Sequence, residues 1–221
     1  MVWLKDITVF VLFFRYNVSS NEREDKRMLH DMAVRSTELL EKRKIIRLKQ
    51  EKIYIYGFEL LYSLLISVGT MLGWSLLLGC TGQVILFLLY FIPIRMAAGG
   101  YHAKSYGACF FWSNVVTLVS VMTAELLWKI GGLWIELAMW GFLLVSVVYI
   151  AQHAPVVSKK APMKEELVAR NKKIAIRILV PGSIMLILLR IVLNKGLSYV
   201  GMIAFCIVAF MIRITKEGGT S

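Results

Sequence analysis

Six long apolar segments, separated by short polar or charged connections, constrain this chain more than any other feature of its sequence. A transmembrane helix needs about 20 mostly apolar residues to cross a hydrocarbon core of about 30 Å. Hydrophobic residues make up 58% of the 221 residues, which excludes an ordinary soluble domain. We therefore predict an all-α, polytopic membrane protein with about six membrane segments: Ile53 to about Leu78, Gln83 to Ile94 with its flanks, Gly107 to Leu127, Leu133 to Ala151, Ile174 to Leu193 and Leu197 to Ile212.

Proline, glycine and arginine set the expected limits of these segments. Pro93 is expected to end the second segment, and the run from Lys129 to Gly132 predicts a turn before the fourth. The fifth segment is interrupted by Arg177, Pro181 and Arg190. The last two segments are therefore open to two interpretations, full spans or a re-entrant or tilted pair.

The net charge of +12 follows from 26 Lys and Arg residues, which concentrate between the apolar segments. Eleven of them lie between Arg15 and Lys52, and six lie between Gln152 and Lys173. The positive-inside rule predicts that both regions are cytoplasmic, and six spans then put both termini and the Arg95 to Tyr106 turn on the same side. No basic stripe is interleaved with aromatic residues, so we expect no nucleic-acid partner.

The chain is expected to divide into a basic, amphipathic N-terminal region (residues 1–52), a transmembrane domain (53–212) and a cytoplasmic tail (213–221). Within the first region, Ile7 to Phe14 is too short to span a bilayer. Ser36 to Lys52 has a helical, basic pattern. It predicts either an interfacial helix on an anionic membrane surface or a solvated charged helix that leads into the first span.

One stretch, Arg95 to Asn114, combines a histidine, a cysteine and several glycines. On one straight helix His102 and Cys109 would share a face but lie roughly 10 Å apart along the axis. A break at the neighbouring glycines could fold the imidazole back onto the thiol, where it would activate the sulfur as a nucleophile. The alternative is a cysteine that serves only as a small apolar side chain.

The other cysteines, Cys80 and Cys206, are expected to be structural. The three cysteines have no metal-type spacing and their number is odd, so neither a disulfide framework, a metal site nor a cofactor is indicated. His30 and His153 have no evident partner in the sequence and are expected at the surface.

Gly-Gly-Tyr-His-Ala followed six residues later by Cys109, with Arg95 just upstream, resembles the signature of the accessory gene regulator protein B (AgrB) family. The resemblance runs from about Glu51 to Lys173. It implies a membrane endopeptidase that processes a peptide pheromone precursor, with Cys109 as nucleophile and His102 as its base. It also implies a bacterial cytoplasmic membrane, a precursor peptide similar to AgrD as partner, and a thiolactone or lactone product.

Glu59 lies within the first predicted span, about 10 Å below its cytoplasmic edge at 1.5 Å per residue. An acid at that depth is costly unless it faces protein or water, which makes it a candidate site residue. Its depth allows it to accept the second ring N–H of His102, as the acid of a catalytic triad does. The alternative is an acid that forms hydrogen bonds between helices.

Four further residues are candidates for substrate binding. Arg95 is expected at the mouth of the site, either to bind a carboxylate or carbonyl of the substrate or to anchor the helix at the interface. Ser113 follows Cys109 by one helical turn and either bonds within the site or packs between helices. Gly99 and Gly100 are expected to permit the turn, and backbone N–H groups at the start of the Cys109 helix could stabilise an oxyanion and the thiolate.

The leading hypothesis is therefore a membrane cysteine endopeptidase that cleaves a pheromone precursor and promotes its cyclisation. The alternatives are a non-enzymatic transporter or permeability protein, in which Glu59, Arg177 and Arg190 line a pathway, and an inactive relative that binds peptides. No internal repeat supports a transporter, and the intact His102 and Cys109 argue against an inactive relative. Membrane lipids are expected partners, and homodimer formation is left open.

Overall fold

The computed structural model describes residues 22–43, 51–98, 106–156, 165–193 and 196–218. Within these ranges the backbone forms seven α-helices joined by short connections. We number them in chain order: α1 (Glu22–Lys42), α2 (Glu51–Leu77), α3 (Thr81–Ala98), α4 (Tyr106–Ile130), α5 (Leu133–His153), α6 (Glu165–Leu193) and α7 (Leu197–Gly218).

Helices α2 to α7 are the six predicted membrane segments. Each is long enough and apolar enough to cross a bilayer, which confirms the all-α prediction with about six spans. The turn predicted after Lys129 is present because Gly131 and Gly132 adopt φ angles of 63° and 100°, which favour glycine. Helix α5 begins at Leu133, as the sequence predicts.

Two predicted boundaries are wrong. Pro93 does not end the second segment, because α3 continues past it to Ala98. Proline removes one backbone donor, but an apolar helix packed against neighbours tolerates that loss. The helix expected to start at Ser36 begins at Glu22 and is described as far as Lys42. Residues 44–50, which contain much of the predicted basic cluster, lie outside the described residues.

The last two segments are long helices. Helix α6 has 29 residues with Pro181 in its interior, and α7 has 22 residues. They contain the most apolar stretches of the six candidate spans among the described residues. Both are therefore long and apolar enough for full spans, in spite of Arg177 and Arg190.

The chain divides into two compact units. The first consists of residues 1–74 and 103–116, and it contains α1, most of α2 and the start of α4. The second consists of residues 75–102 and 117–221, and it contains α3, the rest of α4 and helices α5 to α7.

Helix α7 forms the core of the second unit. It packs against α3, α5 and α6, and half of its most apolar window is buried. Gly201 permits close approach, because a Cβ atom there would lie 2.3 Å from Leu186 Cδ2 and 3.2 Å from the Tyr90 ring. Tyr90 and Phe205 pack their rings 5.8 Å apart. Side-chain packing of this kind is the main source of helix association in an apolar solvent.

An ion pair joins α5 to α6 in the same unit. The Arg190 guanidinium donates through Nε to Glu136 Oε1 at 2.7 Å and through Nη2 to Glu136 Oε2 at 2.5 Å. Arg190 also lies over the Trp128 ring, 5.6 Å from its centroid, and Tyr199 OH is 3.4 Å from Glu136 Oε2. The pair neutralises two charges on apolar helices, which offsets the cost of each.

We expect Arg190→Leu to lower the melting temperature of the protein in detergent, because it leaves the Glu136 carboxylate partly buried without its cation. Breaking a fully buried pair costs about 3–5 kcal/mol. The loss here should be smaller, since the two side chains keep 18% and 27% exposure. Melting can be followed by intrinsic tryptophan fluorescence.

The double variant Glu136→Leu/Arg190→Leu should melt closer to wild type than Arg190→Leu, because no unpaired charge remains. Tyr199→Phe is the matched control, since it removes only the 3.4 Å contact and keeps the ring. An Arg190→Leu protein that melts at the wild-type temperature would contradict the stabilising role.

Candidate functional site

Cys109 lies in the first turn of α4, which begins at Tyr106. Its side chain is partly exposed and its thiol is free. The N-terminus of an α-helix favours a nearby negative charge. The partly exposed side chain of Cys109 therefore lies at a helix end that could stabilise a thiolate or an oxyanion.

Glu59 joins three helices of the first unit. Its Oε2 accepts a hydrogen bond from Tyr106 OH at 2.7 Å, and its Oε1 lies 2.6 Å from His30 Nδ1. These contacts connect α2 to the first residue of α4 and to the middle of α1. The Glu59 side chain is only 15% exposed. The contacts among the described residues agree with the alternative of an acid that bonds between helices, and they hold this acid at the helix end that carries Cys109.

A second polar contact joins α2 to α4. Trp74 Nε1 donates to Asn114 Oδ1 at 3.1 Å, and Asn114 Nδ2 donates to the Phe110 carbonyl at 2.9 Å. Trp74 and Asn114 are both buried. The two inter-helix contacts occur in the same order along α2 and α4, as expected for two spans that cross in the same direction.

Arg95 belongs to the second unit and lies in the last turn of α3. Its Nη1 lies 2.9 Å from the sulfur of Met211 on α7, and its guanidinium lies over the Phe91 ring at 5.6 Å. These contacts fit a helix anchor. Ser113 is partly buried on α4, one turn after Cys109.

His102, Gly99 and Gly100 lie outside the described residues, so the expected meeting of the imidazole with Cys109 stays a prediction. The structure describes α3 as far as Ala98. The Ala98 carbonyl accepts a hydrogen bond from Val156 N–H at 2.9 Å. The segment after α5 is thus attached to the residue that precedes the two glycines.

His30 lies at the surface as predicted, with its side chain 54% exposed, and it contacts Glu59. This partner could not be recognised in the sequence, because the two residues are 29 positions apart. His153 stacks on Tyr149, with ring centroids 4.2 Å apart. Tyr106 could have been found, since it precedes Cys109 by three positions and therefore shares its helix face.

Other groups of polar side chains in the described chain give weaker evidence for a functional site. In that part no group of three metal-ligating side chains is found. The second unit has a cavity of about 320 Å³ lined in part by Gln83, Glu125 and Trp128. Glu125 pairs at 3.4 Å with Lys129, which lies four residues later in the chain. Arg190, a candidate for a transport pathway, is bound to Glu136.

Comparison with known families gives one finding. A family model described as Accessory gene regulator B matches residues 33–213. This range contains every candidate site residue from Glu59 to Ser113 and covers most of the chain. No curated protein and no solved structure gives a significant match.

The thiol of Cys80, in the connection between α2 and α3, is partly buried, and its reactivity can be used to test that burial. Burial raises the pKa of the Cys80 thiol above its usual 9.0, and a backbone hydrogen bond offsets part of this effect. Since the thiolate is the reactive form, alkylation of Cys80 by iodoacetamide should reach half its maximal rate above pH 9.0.

The rates can be measured by mass spectrometry of peptides that contain Cys80. The same cysteine in the denatured chain is the control and should react with the pH profile of an ordinary thiol. A midpoint in the folded protein at or below that of the denatured chain would contradict the burial of this thiol.

Proposed function

The chain belongs to the accessory gene regulator B family, and from that premise we propose that it is a cysteine endopeptidase that cleaves a pheromone precursor peptide. Family membership gives it a role in a quorum-sensing accessory gene regulator system, and its six apolar helices make it a multi-pass membrane protein. The proposal extends to a bacterial cell membrane and to a precursor similar to AgrD as substrate.

The observation that carries the proposal is the position of Cys109. All three cysteines are free and partly exposed, so exposure does not distinguish Cys109. What distinguishes it is its place in the first turn of an apolar helix, three residues after a tyrosine that is bonded to a carboxylate. Reactive cysteines lie close to groups or helix ends that stabilise negative charge, so this position supports a nucleophile at Cys109.

His102 is the proposed base, and Glu59 its proposed orienter. The imidazole takes the thiol proton and later gives a proton to the leaving amine. A carboxylate has about four acceptor positions on its two oxygens and can therefore accept hydrogen bonds from several donors at once. The glycines at 99 and 100 would provide the turn that brings the imidazole to the sulfur.

Attack by Cys109 on the scissile carbonyl forms a C–S bond and then breaks the C–N bond, so that the N-terminal fragment becomes a thioester on the enzyme. The C-terminal fragment leaves as an amine. A thiol within the bound fragment can then attack the thioester carbonyl, close a thiolactone ring and release Cys109 with its proton. A serine hydroxyl would give a lactone. Apolar surroundings that exclude water favour this transfer over hydrolysis.

Four other parts of the chain have proposed roles in binding the substrate. Backbone N–H groups at the start of α4 would stabilise the oxyanion of the tetrahedral intermediate. Arg95 would contact a carboxylate or carbonyl of the precursor, and Ser113 would hydrogen-bond within the site. The basic residues between Gln152 and Lys173 would attract an acidic peptide, with a strength that falls as salt is added.

We expect Cys109→Ala to abolish cleavage of a coexpressed precursor while membrane insertion is retained, and His102→Ala to lower cleavage nearly as far. The reason is that neither half of an activated pair works without the other. Precursor and products can be weighed by mass spectrometry, and insertion can be checked by membrane fractionation.

Cys80→Ala and Cys206→Ala are the matched controls, because they also remove a thiol from the protein and should leave cleavage near the wild-type rate. Processing of the precursor by Cys109→Ala at the wild-type rate would contradict the protease hypothesis.

A further inference from the structure

A carboxylate, a phenol and an imidazole meet beside Cys109 in the first unit. Tyr106 OH and His30 Nδ1 occupy different oxygens of Glu59, at 2.7 Å and 2.6 Å. Neither Tyr106 nor His30 has an evident role in the sequence alone. His30 also precedes residue 33, where the family match begins.

The protons of this cluster follow from its chemistry. An ionised carboxylate only accepts hydrogen bonds, so Tyr106 donates its O–H and His30 donates from Nδ1. Hydrogen bonds to a charged acceptor are shorter and about twice as strong as neutral ones, in keeping with both distances. The carboxylate is therefore fixed from both sides, by α1 and by α4.

The cluster can act on Cys109 through the geometry of α4. Tyr106 and Cys109 are three residues apart in one helix, so their side chains are neighbours on one face with Cβ atoms about 5–6 Å apart. The first turn of a helix frays easily when it lacks side-chain partners. The bond from Tyr106 to Glu59 attaches that turn to α2, and it thereby limits the positions that the thiol can take.

The contact of His30 with Glu59 is not needed to attach α1 to α2, because other contacts already do so. Ser36 Oγ lies 2.6 Å from Tyr62 OH, which already connects α1 to α2. Leu29, Ala33 and Thr37 also form a buried stripe along α1 at intervals of four residues. The bond from His30 instead fixes the second oxygen of the carboxylate that holds Tyr106.

We propose that Tyr106 and His30 are positioning residues of the Cys109 site, and that they act through Glu59 to hold the first turn of α4 in a productive position. Helix α1 is then part of the peptidase site, in addition to any contact with the membrane surface. This inference rests on the proposed function, and it adds two residues to the site.

The test uses the full-length protein in proteoliposomes with a synthetic precursor peptide. Tyr106→Phe removes one hydroxyl and keeps the ring, and it should lower kcat about tenfold, the rate effect of one hydrogen bond of typical strength. KM should stay within about twofold, because the substrate is not contacted. Tyr62→Phe is the matched control, since it also removes a phenol bond of 2.6 Å, and its kcat should stay within about twofold of wild type.

His30 provides a second, independent variant, because its exposed ring should be replaceable without unfolding the protein. His30→Leu removes the donor and should lower kcat severalfold. His30→Asn restores an N–H donor at a similar distance from the backbone and should recover most of the rate. The alkylation rate of Cys109 by iodoacetamide reports on the thiol without any substrate, and it should change in Tyr106→Phe but not in Tyr62→Phe.

The inference is overturned if Tyr106→Phe keeps kcat within twofold of wild type, or if Tyr62→Phe loses as much activity as Tyr106→Phe. It is also overturned if His30→Leu has wild-type kcat. In all these cases the proposed function stands as long as Cys109→Ala remains inactive. An active Cys109→Ala protein would contradict the proposed function itself. Failure of the positioning inference and failure of the proposed function can therefore be distinguished.

Discussion

A carboxylate on an apolar helix needs hydrogen-bond donors, and at Glu59 this requirement organises the part of the protein that carries Cys109. A charged side chain in the middle of a span costs about 2.5–3.5 kcal/mol on insertion scales unless protein or water compensates. Glu59 is mostly shielded and is met by Tyr106 from α4 and by His30 from α1. One acid thereby connects three helices, and the helix it holds most directly begins one turn before the candidate nucleophile.

The second unit satisfies the same requirement with a full ion pair. Glu136 and Arg190 form two hydrogen bonds between α5 and α6, supported by the Trp128 ring. The charges of Glu136 and Arg190 compensate each other, which supports a structural role for this pair. Glu59 is met instead by a phenol and an exposed imidazole. Its contact with the first residue of α4 is the reason to propose a role for Glu59 in the site, whereas the ion pair favours a structural role for Glu136.

The sequence predicts the spans well and the contacts between them poorly. Apolar runs and the two glycines after Ile130 indicate six segments and one turn, because burial in lipid and positive φ angles depend on local residue types. Pro93 does not end its helix as its residue type suggests, because packing against neighbouring helices compensates for a single lost backbone hydrogen bond. Cys109 and Glu59 could be singled out by residue type. The contact of His30 with Glu59 spans 29 positions and leaves no local signal, and the placement of His102 stays a prediction.

The central claim is that Cys109 forms a covalent acyl intermediate, and intact-mass spectrometry of the enzyme tests it most directly. The purified protein is mixed with a precursor whose internal cysteine or serine nucleophile is replaced by alanine, so that the ring cannot close. We predict a mass increase equal to the acyl group of the N-terminal fragment, located on Cys109 and removed by hydroxylamine. Release of the C-terminal fragment in a single turnover with no adduct on Cys109 at any time would contradict it.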